Sequence, residues 1–465
     1  MLFNSLDFAV FLPIVFFIYW FVAQKNLKLQ NALIVVASYI FYGWWDCRFL
    51  SLILFSTVVD FIIGQQIHKT RTKSKRKILL GVSLFTNLGL LGFFKYFNFF
   101  QDSFIEAFKF FGSNFEGYRL SIILPVVISF YTFQTLSYTI DVYRKEMKPV
   151  AEFIDFATFV TFFPQLVAGP IERAKTIIPQ LQSPRIFDYQ QAKSGIHLII
   201  FGLFRKIVIA DNLGIYVDRI WQYPNAITPY MVVLASVFFS VQIYMDFSGY
   251  SRIARGVAQL FGVKLMVNFN YPYKATSFSE FWSRWHISLS TWFRDYLYIP
   301  LGGNRRGSKR TLINLCLVFT ISGLWHGADW SFVIWGFMHF VLLASERIIK
   351  LPQSKFMRLL KWANVLFMVN LTWILFRADT ITQAWVFIRQ VFKYQPLLGY
   401  DSLTFQSPFL LALNVFLVIG LPILLMIERK FYGYKSWQQN VFLIGLLLFT
   451  SMFLTTGETF IYFQF

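Results

Sequence analysis

Residues 321–340 read ISGLWHGADWSFVIWGFMHF. By hydropathy alone the stretch belongs in lipid, yet it holds His326, Asp329 and His339. Ionisable groups at membrane depth are costly; where they occur they face an interior cavity or a partner and mark function. The stretch therefore argues for a membrane protein whose chemistry lies in its interior.

The rest of the chain agrees. Of its 465 residues, 56% are hydrophobic and only 14% are charged, with 58 Phe and 14 Trp. A soluble protein carries about 25% charged residues, so much of this exterior needs lipid as its solvent. A helix crossing the hydrocarbon core needs about 20 apolar residues. Runs of that kind lie near 7–24, 31–45, 49–67, 77–94, 120–140, 152–169, 228–247, 310–328, 330–349, 359–377, 408–427 and 439–456. The N-terminal run (1–28) lacks a basic leader and a small-residue cleavage site, and reads as an uncleaved span. SIILPVVISFYTFQTLSYTI (121–140) and TFVTFFPQLVAGP (158–170) are interrupted by proline, glycine and polar residues. Irregular backbone is tolerated at that depth only when buried in protein or lining a watery cavity. We expect an all-α polytopic membrane protein forming a single domain over 1–465, with roughly 10–13 membrane helices and re-entrant or interfacial pieces around a chamber.

Lys and Arg number 43 against 23 Asp and Glu, a formal net charge of +20. The densest basic loops, HKTRTKSKRK (68–77) and ERIIKLPQSKFMRLLK (346–361), fall on the cytoplasmic side by the positive-inside rule; the mixed loop 95–119 fits the other side. Both basic runs read as topology signals. No zinc-finger spacing or RNA-binding aromatic motif accompanies the charge, so no nucleic-acid partner is expected. Cys47 and Cys316 make neither a disulfide framework nor a metal pattern. No internal repeat is visible, which speaks against an inverted-repeat transporter.

Residues 277–300, SFSEFWSRWHISLSTWFRDYLYIP, carry a second signal. At about 100° per residue, Phe278, Phe281, Trp282, Trp285, Leu289, Trp292, Phe293 and Tyr296 form one stripe. Glu280, Arg284, Thr291 and Asp295 lie opposite. This predicts an amphipathic helix that lies flat on the interface or dips into it. His286 sits at the stripe's margin, near Arg284, Ser288 and Ser290.

Among the other histidines, His68 belongs to a basic loop, His197 opens the apolar run GIHLIIFGLF, and His339 reads as core packing. His326 differs, because Gly327 and Asp329 follow it where a helix should break. A neutral imidazole can take the proton of an attacking hydroxyl, and Gly327 would permit close approach by a substrate or another backbone. On one straight helix His326 and His339 would point about 220° apart, which argues against a shared metal. No nucleophile elbow or Walker loop is present, and LGGN (301–304) is too short to mean phosphate binding. These arguments leave His326 open between a base and a structural group.

Read together, SEFWSRWHISLSTWFRDYLYIPLGGNRRG (279–307) and GLWHGADWSFVIWGFMH (323–339) resemble the membrane-bound O-acyltransferase superfamily, and within it the bacterial branch acetylating alginate and other exported polysaccharides. ASYIFYGWW (37–45), FFKYFNFF (93–100), ISFYTFQTLSYTIDVYR (128–144), FPQLVAGPIER (163–173) and DFSGYS (246–251) extend the likeness in order over nearly the whole chain. The resemblance implies a many-helix fold around a central tunnel, open to the acyl donor on the cytoplasmic side and to the acceptor outside. His326 would be the essential histidine and His286 a second functional one. Trp285, Trp325, Asp329, Arg284 and Asn304 would bind substrate or line the tunnel, with Trp330 and Trp335 in its walls and Asp329 able to reach an imidazole through a bend. The expected reaction moves an acyl group, acetyl in this branch, from acetyl-CoA or another thioester to a hydroxyl, with no bound cofactor or metal. Periplasmic acetyltransferase or esterase-like proteins, the export machinery and membrane lipid would be partners, in a bacterial inner membrane. A transporter or flippase of an acyl carrier or lipid-linked intermediate, without transfer chemistry, is the alternative. Two positions depart from the family pattern: Arg252 follows DFSGYS where Asp is usual, and Ser283 replaces an Arg.

Overall fold

The computed structural model describes residues 1–112, 117, 119–125, 127–166, 169–224, 227–349, 352, 354–396 and 407–453. Its described elements are helical, without strands. Among the described residues, six helices are long and apolar enough to cross a membrane: Cys47–Lys69, Lys73–Phe110, Pro229–Leu260, Trp330–Ile348, Lys355–Arg377 and Pro408–Phe431. Shorter apolar helices cover Leu6–Val22, Leu27–Gly43 and Phe153–Leu166.

Several expected spans are shorter or more polar than their hydropathy indicated. The 120–140 run becomes helical only at Ile128, beyond Pro125, because proline disfavours helix in the residue before it. The 152–169 run breaks at Phe162 (φ −49°, ψ 102°) between Phe153–Thr161 and Phe163–Leu166. Gly307–His326 forms a full helix, but Lys309 and Arg310 load its first turn. Residues 126, 167–168 and 454–456 of the expected spans, and 113–116, 118, 350–351 and 353 of the expected loops, lie outside the described residues.

The chain forms two compact units. The first comprises Met1–Ile196 and Ala254–Met266. Its Ile128–Arg144 helix is buried from Ile128 through Thr139, polar residues included. Burying such groups in lipid is tolerable only with internal partners; Thr135 joins a bonded network, while Tyr131 Oη, Thr132 Oγ1 and Gln134 Oε1 have no partner among the described residues. Asp60 accepts from Ser83 Oγ at 2.5 Å and from Asn87 Nδ2 at 2.8 Å. Asn87 Oδ1 in turn accepts from Ser56 at 2.7 Å and Thr135 at 3.2 Å. Three helices are thereby tied together at mid-length.

The second unit comprises His197–Ile253 and Val267–Phe465. Its core packs Trp282, Trp285, Trp335 and Trp373 among aliphatic and aromatic residues from Phe204 to Leu425. Buried charges are paired within it. Lys206 Nζ lies 2.9 Å from Asp246 and 2.6 Å from Asp211. Arg205 makes a two-pronged ion pair with Glu428 and donates to Ser248 at 2.8 Å. The unusual Arg252 joins the same carboxylate at 3.1 Å, so its reversed charge has an acid to meet. Ser283, the other departure, bonds within its own turn, to Glu280 O at 2.7 Å.

Candidate active site

Two helices bring His326 into the second unit's core. Gly307–His326 stops at Gly327, whose backbone is extended, and Asp329 begins Trp330–Ile348 as its N-cap. The Asp329 carboxylate accepts from Ser331 N–H at 2.7 Å, one of the donors a helix start leaves unsatisfied. That acid therefore serves the helix start through Oδ1. The turn is tight because glycines allow it. A Cβ on Gly323 would sit 3.1 Å from Gly336 Cα and collide with Phe332 O, while one on Gly336 would meet Phe319 O. A Cβ on Gly327 would overlap the Phe332 ring, so the group approaching Gly327 is a neighbouring side chain. Backbone-to-backbone contact of this kind is how small residues join helices in lipid.

His326 ends its helix 4% exposed. Trp335 and Phe376 stand edge-on to its ring at 5.1 and 5.4 Å, and Trp325 at 4.9 Å. His286 lies 6.4 Å away between ring centroids. The sequence expectation of one helix through 277–300 fails at this residue. Phe278–Arg284 and Ile287–Phe293 are separate helices, and His286 between them takes left-handed backbone angles (φ 42°, ψ 54°). Such angles are uncommon without glycine and persist when the surroundings impose them. Here Asn268 imposes them: its carbonyl accepts from Ile287 N–H at 3.0 Å, and its Oδ1 accepts from Ser288 N–H at 3.1 Å and Ser288 Oγ at 2.7 Å. The aromatic stripe was read correctly but faces protein: Phe281, Trp285 and Leu289 are each 1% exposed.

Neither ring nitrogen of His286 has a hydrogen-bond partner among the described residues, nor has Asn268 Nδ2 or Trp335 Nε1. Burial pushes the His286 imidazole down, to about 3, because a charged ring is poorly solvated there. It is a neutral polar group with free bonding capacity. His339 is the contrast. Trp282 Nε1 donates to its Nδ1 at 3.3 Å, so its Nε2–H faces Thr372 Oγ1 at 3.1 Å, which donates to Val369 O at 2.8 Å. Both its nitrogens are used, as packing demands.

The remaining expected residues divide. Trp285 is buried against Trp373 at 4.9 Å, and Trp325 stacks with His286 at 6.2 Å. Arg284 holds Glu280 at 2.8 Å and Asn270 O at 3.1 Å. Trp330 is exposed. Asn304 is exposed on the turn before Gly307–His326 and does not join the two imidazoles; Asn314 holds that turn, donating to Gly303 O at 2.9 Å. Sequence reasoning missed Asn268, Phe376 and Trp373. Two asparagines, Asn268 and Asn270, in the otherwise apolar and aromatic LMVNFNYPY were the available hint for the first. Among the described residues, no three His, Cys, Asp or Glu stand together as metal ligands would.

Three adjoining cavities lie in the same unit. One of about 800 Å³ is lined by Trp282, Ile287, Leu289, Ser290 and Ser322, residues on either side of the His286 bend among them. It shares Ser277 and Glu346 with a second of about 710 Å³. That one shares Arg358 with a third of about 420 Å³, lined also by Lys274, Arg284 and Arg429. The first also carries Arg294, Glu346 and Arg347 on its wall, and the third sets four basic side chains beside Glu280.

A family model described as membrane-bound O-acyltransferase (MBOAT) matches residues 149–382, which include both histidine motifs. The chain is 36% identical over 417 residues to a protein named peptidoglycan O-acetyltransferase from Helicobacter pylori, covering 83% of this chain and 78% of that one. It is 39% identical over 400 residues to a probable alginate O-acetylase AlgI of Pseudomonas aeruginosa, covering 85% and 75%. A more distant likeness, 30% over 225 residues, joins it to a teichoic acid D-alanyltransferase of Bacillus subtilis, with 45% and 56% covered. The chain belongs to the membrane-bound O-acyltransferase family and is a multi-pass membrane O-acyltransferase of its bacterial polysaccharide O-acetyltransferase branch.

Proposed function

We propose that this enzyme takes an acetyl group from a cytoplasmic thioester and passes it to a hydroxyl of an exported polysaccharide, or of a periplasmic partner that completes the modification. The observation that carries the reading is the buried pair His286 and His326, 6.4 Å apart in an aromatic wall. His326 acts as general base: its neutral imidazole takes the acceptor's proton as the oxygen attacks the thioester carbonyl. The tetrahedral intermediate then expels the thiolate, which recovers that proton from the imidazolium. His286 and Trp335 Nε1, lacking partners of their own, supply hydrogen bonds to the developing oxyanion. Trp325 and Phe376 keep water from competing as acceptor, and Trp285 and Arg284 support the wall from behind.

The linked cavities favour a thioester on a long phosphate-bearing arm, such as acetyl-CoA. Its anionic end would rest among Arg358, Lys274 and Arg429, and its acyl end would lie towards Ile287 and Ser290. The acceptors named for the relatives, peptidoglycan and alginate, support an envelope or exported glycan as acceptor, with the enzyme in the inner membrane. Esterase-like acetyltransferases and export proteins would be the periplasmic partners. The test uses the purified full-length protein in nanodiscs with labelled acetyl-CoA and a hydroxylated acceptor glycan. Covalent label on the glycan that vanishes in His326→Ala supports the reading. Undiminished transfer in that variant, or passage of label across the bilayer without transfer, overturns it.

A further inference from the structure

In the first unit the ends of three helices enclose a pocket of about 700 Å³ whose walls include Ile67, His68, Arg71, Arg76, Lys145 and Lys148. Its one lining acid, Glu146, is engaged by Lys175 at 3.4 Å and Arg144 at 3.9 Å. Basic residues at a helical hairpin ordinarily report only orientation. Two features here go further.

Lys145 ends the Ile128–Arg144 helix in the left-handed region (φ 64°), with its N–H on Val142 O at 3.1 Å and Glu146 N–H on Asp141 O at 2.9 Å. Glycine is the residue that makes such a terminus without strain. A lysine there carries a backbone cost, and its side chain lines the pocket. Arg76 is held in place, donating from Nη2 to Tyr143 O at 2.5 Å, with its guanidinium 5.3 Å above the Tyr143 ring. Its buried Nε has no partner among the described residues. One cation is thus pre-positioned and another retained against the local backbone preference, on the same wall. Alongside, the hairpin presents exposed apolar residues: Phe55, Val58 and Ile62 on one helix, Ile78, Val82 and Phe85 on the next. Both helices are long and apolar enough to cross a membrane.

We infer that this pocket binds the phosphate-bearing headgroup of an anionic glycerophospholipid, whose acyl chains lie along the exposed faces of Leu50–Lys69 and Lys73–Leu91. Clustered lysine and arginine beside membrane helices attract anionic lipid by charge, and arginine adds directed hydrogen bonds to phosphate oxygens. The site belongs to a unit separate from the histidine pair and stands independently of the acyl-transfer reading.

The test compares full-length protein in nanodiscs of phosphatidylcholine with and without phosphatidylglycerol, reading bound lipid by native mass spectrometry and thermal unfolding. Phosphatidylglycerol should be retained selectively and raise the melting temperature. Arg71→Gln combined with Lys148→Gln should weaken that retention roughly tenfold or more, at about 1 kcal/mol per cation near a membrane surface. Lys145→Gly separates folding from binding. In lipid-free detergent it should melt higher, because glycine relieves the left-handed turn, yet it should retain less phosphatidylglycerol. Equal retention of both lipids, unchanged retention in the double variant, or full retention by Lys145→Gly would overturn the assignment. So would inorganic phosphate alone stabilising the protein as much as the lipid, which would make this a soluble-phosphate site.

Discussion

The imidazoles of His286 and His326 stand 6.4 Å apart, one on a left-handed bend and the other on the last residue of a helix. They reach this proximity from opposite kinds of backbone. His326 is carried by a regular helix to its end, and His286 is presented by a break between two short ones.

Removing either ring should act on chemistry more than on folding. His326→Ala should lower acetyl transfer by about a hundred- to ten-thousand-fold, the range for loss of a general base. His286→Ala should cost about a hundredfold, as loss of one oxyanion donor does. Both variants should elute as the wild type on size exclusion; aggregation of either would assign that ring a structural role.

Asn268 should behave as a positioning residue. Asn268→Asp keeps the acceptor oxygen and should retain part of the activity, whereas Asn268→Leu releases Ile287 and Ser288 and frees His286 from its unusual angles. Parallel loss of turnover and of a His286 NMR signature in Asn268→Leu, with partial rescue in Asn268→Asp, is the expected pattern.

Acid and base should destabilise the protein through different residues. Unfolded His286 takes up a proton near 6.5, while the folded ring resists until about 3. Between those values the unfolded state binds the extra proton, so stability falls as pH falls. Glu172 has the opposite sign: burial raises its carboxyl to about 7 from 4.5, and stability is lost as pH rises between them. The slope from each is at most about 1.4 kcal/mol per pH unit. Melting curves for His286→Gln should be flatter on the acid side and those for Glu172→Gln flatter near neutrality. Gln at 172 retains an acceptor for Met266 N–H, now 2.6 Å from the carboxylate.

Glu428 holds two arginines. Glu428→Ala should destabilise by about 3–5 kcal/mol, because it strands the buried Arg205. Arg252 is partly exposed, at 22% of its side chain, and Arg252→Ala should cost about 1 kcal/mol or less. Denaturation in mixed micelles would rank them, and equal costs would mean that Arg252 rather than Arg205 sets the charge balance.

Glycines should separate by what surrounds them. Gly336→Ala forces a methyl into the Phe319 carbonyl and should cost about 1–3 kcal/mol, as overpacking does. Gly420→Ala, in a helix with nothing within 4 Å of the added carbon, should gain about 0.5–1 kcal/mol. Melting temperatures moving in opposite directions would check both.

Much of this architecture was legible. Composition placed the chain in lipid, and a 3.6-residue period picked out the faces of Trp282, Trp285 and Leu289 that are buried. The His286 bend was not legible, because its cause, Asn268, lies outside the helical pattern and acts through its own hydrogen bonds. Asp329 carried two readings in the sequence. An acid beside a histidine suggests chemistry, but Asp before Trp330 is equally a helix start, and the cap geometry prevailed. Asn304 was drawn in by its neighbours in sequence, while Asn314, a helix later, does the bonding. Local pattern revealed faces and termini; contacts made across the fold determined which polar groups remained available for substrate.

Gly323 and Gly336 leave no slack behind His326. The imidazole rides at the tip of a rod braced along its length, so it cannot swing out to follow a reactant. With His326 in the proposed role of base, donor and acceptor would both travel to a fixed point, and the enzyme's discrimination would reside in the routes leading there. A chain built this way could be redirected to another glycan by reshaping its approaches, with the reacting centre left untouched.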